Sequence, residues 1–337
     1  MSWTLLHSQI HRTLKTRQLL PKNSRFLVAI SGGQDSLCLL QLLLDLQPKW
    51  GWDLAIAHCD HRWRIDSTAN AEYVADLAKK LQVPFFLEVA QEIPKTEAAA
   101  RSWRYQTLWA ISTKNNYNLI VTGHTATDRA ETLLYNLMRG SGAEGLQALT
   151  WKRTIPTVSS LENKIDLVRP LLEVSREQTG KFCQENNIKV WEDSTNQDTN
   201  YTRNRIRLEL LPVLETFNPQ VEKHLCQTAE LLRADIEYLE QQSRDFYQKL
   251  LALNTENVKD LDIKIKLNRP LLKTAPLAIQ RRVIHRLLVK ILPTAPNFEQ
   301  VEKLTALITA PNRSRTDPFP GGSYGEVCGE WIEIHQI

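Results

Sequence analysis

No two of the five cysteines, at positions 38, 59, 183, 226 and 328, lie close together in the sequence. No Cys-x-x-Cys pair and no zinc framework can be written from them, and a reducing cytoplasm is the plain inference. No apolar run reaches the ~18 residues expected of a membrane span. Residues 1–20 scatter His, Arg and Lys among their leucines, so the apolar region of a signal peptide is missing. Repeats and low-complexity segments are missing too. So is a strong excess of one charge: the formal net charge is +4, which permits nucleic-acid binding without proving it.

What is present begins with a globular composition. Apolar residues make up 42% and charged residues 24% of 337 positions, enough for two or three domains. Residues 26–36 read Phe-Leu-Val-Ala-Ile-Ser-Gly-Gly-Gln-Asp-Ser. The apolar run predicts a buried strand, and the second apolar run from Leu37 predicts a helix. A strand that turns through glycines into a helix points backbone N–H groups and a positive helix end at one spot, which suits a phosphate. Ser31, Gly32, Gly33, Gln34, Asp35 and Ser36 are therefore candidate phosphate-binding residues. Asp35 and Ser36 fall in the first turn, where a carboxylate can hold Mg²⁺ and a hydroxyl can reach phosphate oxygens. A Gly-Gly pair alone is most often a plain turn; the flanking Ser, the Asp-Ser and the preceding strand distinguish this one. Neither the Walker pattern nor Gly-x-Gly-x-x-Gly fits, which argues against a simple NTPase or a dehydrogenase.

Strands are expected at 26–30, 54–58, 85–89 and 119–122, with helices between them at about 37–46, 67–82 and 96–114. This alternation predicts an α/β fold: a parallel sheet with right-handed crossovers and helices on both faces. Ligands of such sheets sit beyond the carboxyl ends of the strands. Three polar motifs fall there, at 31–36, 58–64 and 124–128. Residues 151–166 read as a polar loop or hairpin, 175–187 as a helix, and 191–196 as turn chemistry. A helix starts at Arg203 and ends near Pro212. Domains are expected at 1–215 and 216–337. The second is mainly helical, with patterns at 220–252, 276–292 and 297–309 and a hairpin within 318–337.

Four further constellations carry chemistry. His58 and His61, three apart, can bind metal or phosphate, although His-x-x-His without a third ligand is weak evidence and a polar loop is the plain alternative. Arg64 follows them. Arg101 and Arg104 share a helix face as a cationic clamp or as a solvated basic face. His124, Asp128 and Glu131 lie on one side of a helix if it begins early; Asp128 is equally placed to complete a capping box with Thr125. The helix then ends at Arg139-Gly140-Ser141-Gly142. Arg203, Arg205 and Arg207 fit phosphate oxygens of ATP or RNA, or are simply solvated.

The glycine loop resembles the pyrophosphate loop of the N-type ATP pyrophosphatases, which split ATP between the α and β phosphates. The full series is Ser-Gly-Gly-x-Asp-Ser, His-x-x-His-x-x-Arg, Glu-Ala-Ala-Ala-Arg-x-x-Arg-Tyr, Gly-His-x-x-x-Asp-x-x-Glu-Thr, Arg-Gly-Ser-Gly, Arg-Pro-Leu-Leu and Arg-Asn-x-Ile-Arg. It resembles the tRNA(Ile)-lysidine synthase family from about residue 24 to 213. The resemblance implies an adenine nucleotide α-hydrolase-like fold and ATP with Mg²⁺. It implies that the carbon-2 oxygen of the wobble cytidine of a CAU anticodon is adenylated and that the ε-amine of free lysine displaces AMP. The isoleucine tRNA then reads AUA instead of AUG. By that resemblance Asp128 is the base or lysine anchor, His124 positions phosphate or a proton, Arg104 neutralises charge on the α-phosphate, His58 joins the ATP site, and Asp35 holds Mg²⁺. Arg64, Arg101, Arg139, Arg203, Arg205 and Arg207 become tRNA or phosphate contacts. A homodimer, the shorter family form and a bacterial cytoplasm or plastid stroma are also implied. The chain departs from the family's Gly-His-His-x-Asp-Asp-Gln at Thr125, Thr127 and Arg129, so roles of the replaced groups do not transfer. Two other readings are a tRNA thiolase on the same scaffold and a non-catalytic RNA-binding relative.

Overall fold

In the computed structural model, which describes residues 3–155, 164–191, 197–254 and 265–335, the apolar run before the glycines becomes an interior strand. β1 (Arg25–Ala29) pairs in parallel with β2 (Asp53–Asp60) on one side. On the other it pairs in parallel with β4 (Leu119–Thr122). β3 (Phe85–Val89) lies beyond β2. β6 (Asp166–Val168) lies beyond β4, and β5 (Lys152–Thr154) closes that edge antiparallel. The resulting order is β3-β2-β1-β4-β6-β5. The chain leaves β1 toward β2 and β3, then returns to place β4 on the opposite side. A crevice therefore opens at the carboxyl ends of β1 and β4.

Alternation explains why β1 reads as a continuous apolar run. Phe26 and Val28 enter the core on one face, with Leu37, Leu39 and Leu43 of α2 (Gln34–Trp50). Leu27 enters the other, with Ala55, Ala57, Ile120 and Leu108 of α4 (Glu97–Lys114). Both faces are covered, so neither alternate set of side chains can be polar. Each such Leu or Phe contributes about 1.5–3 kcal/mol relative to an exposed one. α1 (Leu5–Thr16) adds Leu6, Ile10 and Leu14 to the first face. α3 (Ser67–Leu81) adds Val74 and Ala78. α7 (Arg176–Glu185) adds Phe182 and Cys183. α5 (Ala126–Met138) and the short α6 (Ala143–Leu146) lie between β4 and β5 in sequence.

The four expected strands and the first three helices form near their expected bounds. α2 starts earlier than expected because Gly33 is its N-cap, and it ends at Gly51 in the left-handed region (φ 68°). The helix expected from Arg203 to Pro212 is corrected. It is α8 (Thr202–Arg205), a π-helical turn at Ile206–Leu210, then α9 (Leu211–Phe217). Pro212 does not end it; it lies directly after the π-helical turn, and the helix continues through it to Phe217. Apart from Trp191, the turn expected at 191–196 lies outside the described residues.

The chain divides into two compact units, Met1–Leu232 and Arg233–Ile337, and the boundary falls within α10 (Val221–Asn254). The second unit has β7 (Lys266–Asn268), α11 (Arg269–Thr274), α12 (Leu277–Ile291), α13 (Phe298–Ala306), β8 (Tyr324–Cys328) and β9 (Trp331–His335). β8 and β9 form the expected hairpin, and β7 joins it in a three-stranded sheet ordered β7-β9-β8. Val283, Leu287, Leu304, Val327 and Ile332 fill its core. Buried Arg269 donates to the carbonyls of Ile308, Gly329 and Ala310, which holds the hairpin end to the loop after α13.

Candidate active site

A cavity of about 460 Å³ opens where β1, β2 and β4 end, and Ser31, Asp35, His58, Arg104, His124 and Asp128 are among its lining residues. All three strand-end motifs contribute to it. The glycine loop is held from within: Ser31 N donates to Ser36 Oγ at 3.2 Å, and Ser36 Oγ donates to Gly33 O at 2.9 Å. Gly32 has φ +88°, and a Cβ there would lie 2.2 Å from Asn70 Oδ1, so neither the backbone nor the space admits a side chain. Asn70 Nδ2 donates to Ser31 O at 2.9 Å, and Trp191 N donates to Gly32 O at 3.0 Å. Gly33 supplies no side-chain cap to α2. The first N–H groups of that helix thus face the cavity mouth without a side-chain acceptor. A Cβ on Gly123 would lie 2.9 Å from the Asp35 backbone, so glycine lets the end of β4 approach the start of α2.

One wall is acidic. Asp35 receives Arg176 Nη1 at 3.2 Å on Oδ2 and the Thr179 hydroxyl on Oδ1. Burial raises its pKa, Arg176 opposes that, and Asp128 adds to it. Asp128 does complete the capping box: its Oδ2 accepts from Thr125 N at 2.7 Å and from Thr125 Oγ1 at 2.8 Å. The two readings of Asp128 are compatible, because the capped carboxylate still lines the cavity. One turn on, Glu131 is buried, and Arg207 Nη1 stands 3.8 Å from its Oε1. Burial, then Asp128, push the Glu131 pKa up to about 8. These carboxyls are poorly solvated and crowd one another, so a cation entering here would stabilise their ionised forms.

Arginines gather around Tyr105, which lines the cavity. Tyr105 sits among Arg101, Arg169 and Arg153; burial would raise its pKa, but those guanidinium charges outweigh burial and lower it. Burial pushes the Arg169 pKa down to about 10, with neighbouring Arg153 and Arg101 contributing. His124 accordingly stays neutral, its proton affinity lowered first by burial and then by Arg169, Arg101, Arg104 and Arg203. Its Nδ1 meets Thr122 Oγ1 at 2.8 Å. His58 is also held neutral by burial. Its Nδ1 lies 2.7 Å from Ile30 O, an acceptor only, so Nδ1 carries the proton and Nε2 is left to accept. That tautomer suits a nucleoside hydroxyl or amine better than a phosphate oxygen. Arg104 Nε donates to His61 Nε2 at 3.2 Å. The two histidines of His-x-x-His thus have separate partners.

The other sequence-predicted arginines are distributed more widely. Arg64 lines the cavity and pairs with Asp66 at 3.1 Å. Arg101 stacks on Tyr105, 5.3 Å from its ring centroid. Arg203 pairs with Glu97 at 3.2 Å, and Glu97 lines the cavity. Arg205 pairs with Glu209 at 3.3 Å on the surface. Arg139 lies against the ring of Tyr135 at the exposed end of α5.

Against known families, residues 5–214 match the PP-loop domain and residues 267–328 match the TilS substrate binding domain. The tRNA(Ile)-lysidine synthase of Nostoc sp. is 58% identical over 338 residues, covering 98% of this chain and 97% of its own. The same-named protein of Synechocystis sp. is 50% identical over 333 residues, with 98% of each chain covered. The chain belongs to the tRNA(Ile)-lysidine synthase family. Among solved structures, the U34-tRNA thiolase of Methanococcus maripaludis superposes with a TM-score of 0.56 at 15% identity, over 68% of this chain and 80% of that one. That likeness is one of fold. The family match favours a lysidine synthase over a thiolase. The cysteines agree: Cys38 and Cys183 touch, but both are buried in the apolar core, and no cysteine cluster gathers among the described residues.

Several residues of this candidate site escape local patterns. Arg176 and Thr179 reach Asp35 from more than 140 positions away, Asn70 arrives from α3, and Trp191 from beyond α7. Arg169 lay in a quoted motif without a role. Glu131, three residues after Asp128, was legible through its shared helix face.

Proposed function

We propose that this chain uses ATP to join free L-lysine to carbon 2 of the wobble cytidine in the CAU anticodon of tRNA(Ile), releasing pyrophosphate and AMP. The observation that carries the reading is one cavity whose lining brings together the glycine loop, Asp35 and Asp128, and His58, Arg104 and His124. The cytidine O2 attacks the α-phosphorus, and pyrophosphate leaves toward Ser31, Gly32, Gly33, Gln34 and Ser36 at the start of α2. Arg104 offsets charge developing on the α-phosphate. The lysine ε-amine then attacks carbon 2 and AMP departs.

Lysine must first lose a proton. Its ordinary pKa of ~10.4 puts the free amine about 4.6 kcal/mol uphill at neutral pH. Asp128 is assigned as the anchor or base that takes that proton, and Glu131 as a second acidic neighbour that raises the local demand for a cation. His124, held neutral, can donate or accept one hydrogen bond but brings no charge of its own. His58 binds the nucleoside through Nε2. Mg²⁺ fits the acids here: Asp35 is a largely shielded carboxyl that lines the cavity with Asp128, and the cation would neutralise departing pyrophosphate. Arg64, Arg101, Arg139, Arg203, Arg205 and Arg207 are assigned to tRNA or ATP phosphates.

Residues 1–215 are assigned catalysis and 216–337 tRNA binding, with the active protein a homodimer. Among the described residues no helix is long and apolar enough to cross a membrane. A cytoplasmic or stromal setting fits a tRNA substrate. The test supplies ATP, Mg²⁺, labelled lysine and a tRNA(Ile) transcript bearing CAU, with initiator methionine tRNA as control. Label on the first tRNA only, with AMP released, is the expected result. Label on neither, with tRNA binding intact, would overturn the reading.

A further inference from the structure

His61, Trp63 and Trp103 form an aromatic group that none of the steps above uses. The ring centroids of His61 and Trp63 are 5.9 Å apart and tilted by 34°, and Trp103 meets His61 edge-on at 5.2 Å. Trp63 Nε1 donates to Pro94 O at 2.7 Å, which fixes one edge of the indole. The residue is nonetheless 38% exposed, and with His61 it lines the cavity. A single exposed indole means little in general. This one stands at the mouth of a substrate cavity whose lining also includes Arg62, Arg64 and Arg104. Rings interleaved with guanidinium groups are the chemistry that binds unpaired bases: each base offers a π-face, and its flanking phosphates need cations.

We propose that Trp63, backed by His61 and Trp103, is the stacking platform for an unpaired base of the tRNA anticodon loop entering the cavity. The proposal rests on the lysine-ligation reading, since chemistry at carbon 2 of a cytidine requires that base out of its stack. Burial first, then Arg104, lower the His61 pKa to about 4, so at neutral pH the ring behind Trp63 is uncharged. The cation beside it is Arg104, hydrogen-bonded to its edge. An RNA base is favoured over the adenine of ATP because Trp63 is exposed at the rim, where a large polyanion approaches, and because the mouth carries arginines.

Trp63→Ala is expected to raise KM for the CAU tRNA roughly 5- to 150-fold, with KM for ATP unchanged. Trp63→Phe keeps a ring but loses the bond to Pro94, and should restore most of that loss. An unchanged tRNA KM in the Ala variant would overturn the proposal. A rise in ATP KM alone would assign the ring to adenine. A Phe variant as impaired as Ala would assign the effect to the Pro94 bond and the loop it holds. Binding of an anticodon stem-loop with 2-aminopurine beside the wobble position gives a readout independent of turnover. The wild type should quench it and Trp63→Ala should not. Quenching by a wild type that transfers no lysine would sink the ligation reading and leave this one standing.

Discussion

The acids and the arginines of the site differ in what they wait for. Asp35 and Glu131 have raised pKa values, and Asp128 contributes to both shifts. Arg101 and Arg169 have lowered values because burial and neighbouring guanidinium groups disfavour their charge. Both groups sit in poor solvent, and Arg176 and Arg207 offset the acids only in part. A cation relieves the first and an anion the second. A reaction that brings together a lysine amine, a divalent cation, a triphosphate and an RNA backbone supplies both. The difference teaches that each group should report on a different substrate.

The strongest way to break that comparison is at Asp35. Asp35→Ala should cut AMP release by about 10²–10³-fold or more while tRNA retention on filters stays near wild type. Retained ATP turnover would remove Asp35 from the metal site. Asp128→Asn keeps an oxygen for the Thr125 cap but removes the charge. It should lower lysine transfer by roughly 10²–10⁴-fold with little change in Tm. Asp128→Ala should lose in addition about 0.5–2 kcal/mol of stability from the cap. Equal transfer rates in Asn and wild type would leave the carboxylate with a capping role only.

The arginines should respond to salt instead. Arg203→Ala is expected to weaken tRNA binding at every concentration and to reduce the salt slope of log Kd by about 1, with KM for ATP unchanged. An unaltered slope would mean that Arg203 serves Glu97 alone. The pH dependence of stability tests the acids from another side. Glu131 holds its proton up to about 8 in the fold and releases it near 4.5 when unfolded. Across that window the folded chain binds more protons than the unfolded one, so the stability linked to this group is full below 4.5 and is lost as pH rises through 8. Thermal unfolding at pH 5 and pH 8 should show that decline in the wild type and a smaller one in Glu131→Gln. Equal declines would assign the dependence to other groups.

The glycine loop was legible because its parts are contiguous: one strand, two glycines and one helix start fall within residues 26–37. The order of strands and helices was legible too, through apolar runs and helical spacing; the caps Thr96 and Ser175 became visible only in the structure. α1 left a readable signal in Leu6, Ile10 and Leu14, spaced by four, although no helix was expected there. The π-turn at Ile206–Leu210 left none, because 203–212 carries an ordinary helical pattern. The supports of Asp35 were out of reach for a different reason. Arg176 and Thr179 sit on α7, and nothing near them names the carboxylate they will meet.

The sequence by itself determined which segments become strands and helices, where a glycine loop meets a helix start, and which acids and arginines are available. Those follow from periodicity and from local backbone chemistry. Only the tertiary structure decided which acids and arginines come together, that Asp128 caps a helix and lines the cavity at once, and that His58 and His124 are neutral. Charge state and pairing depend on burial and on groups many residues apart, and both exist only once the sheet has brought its strand ends together.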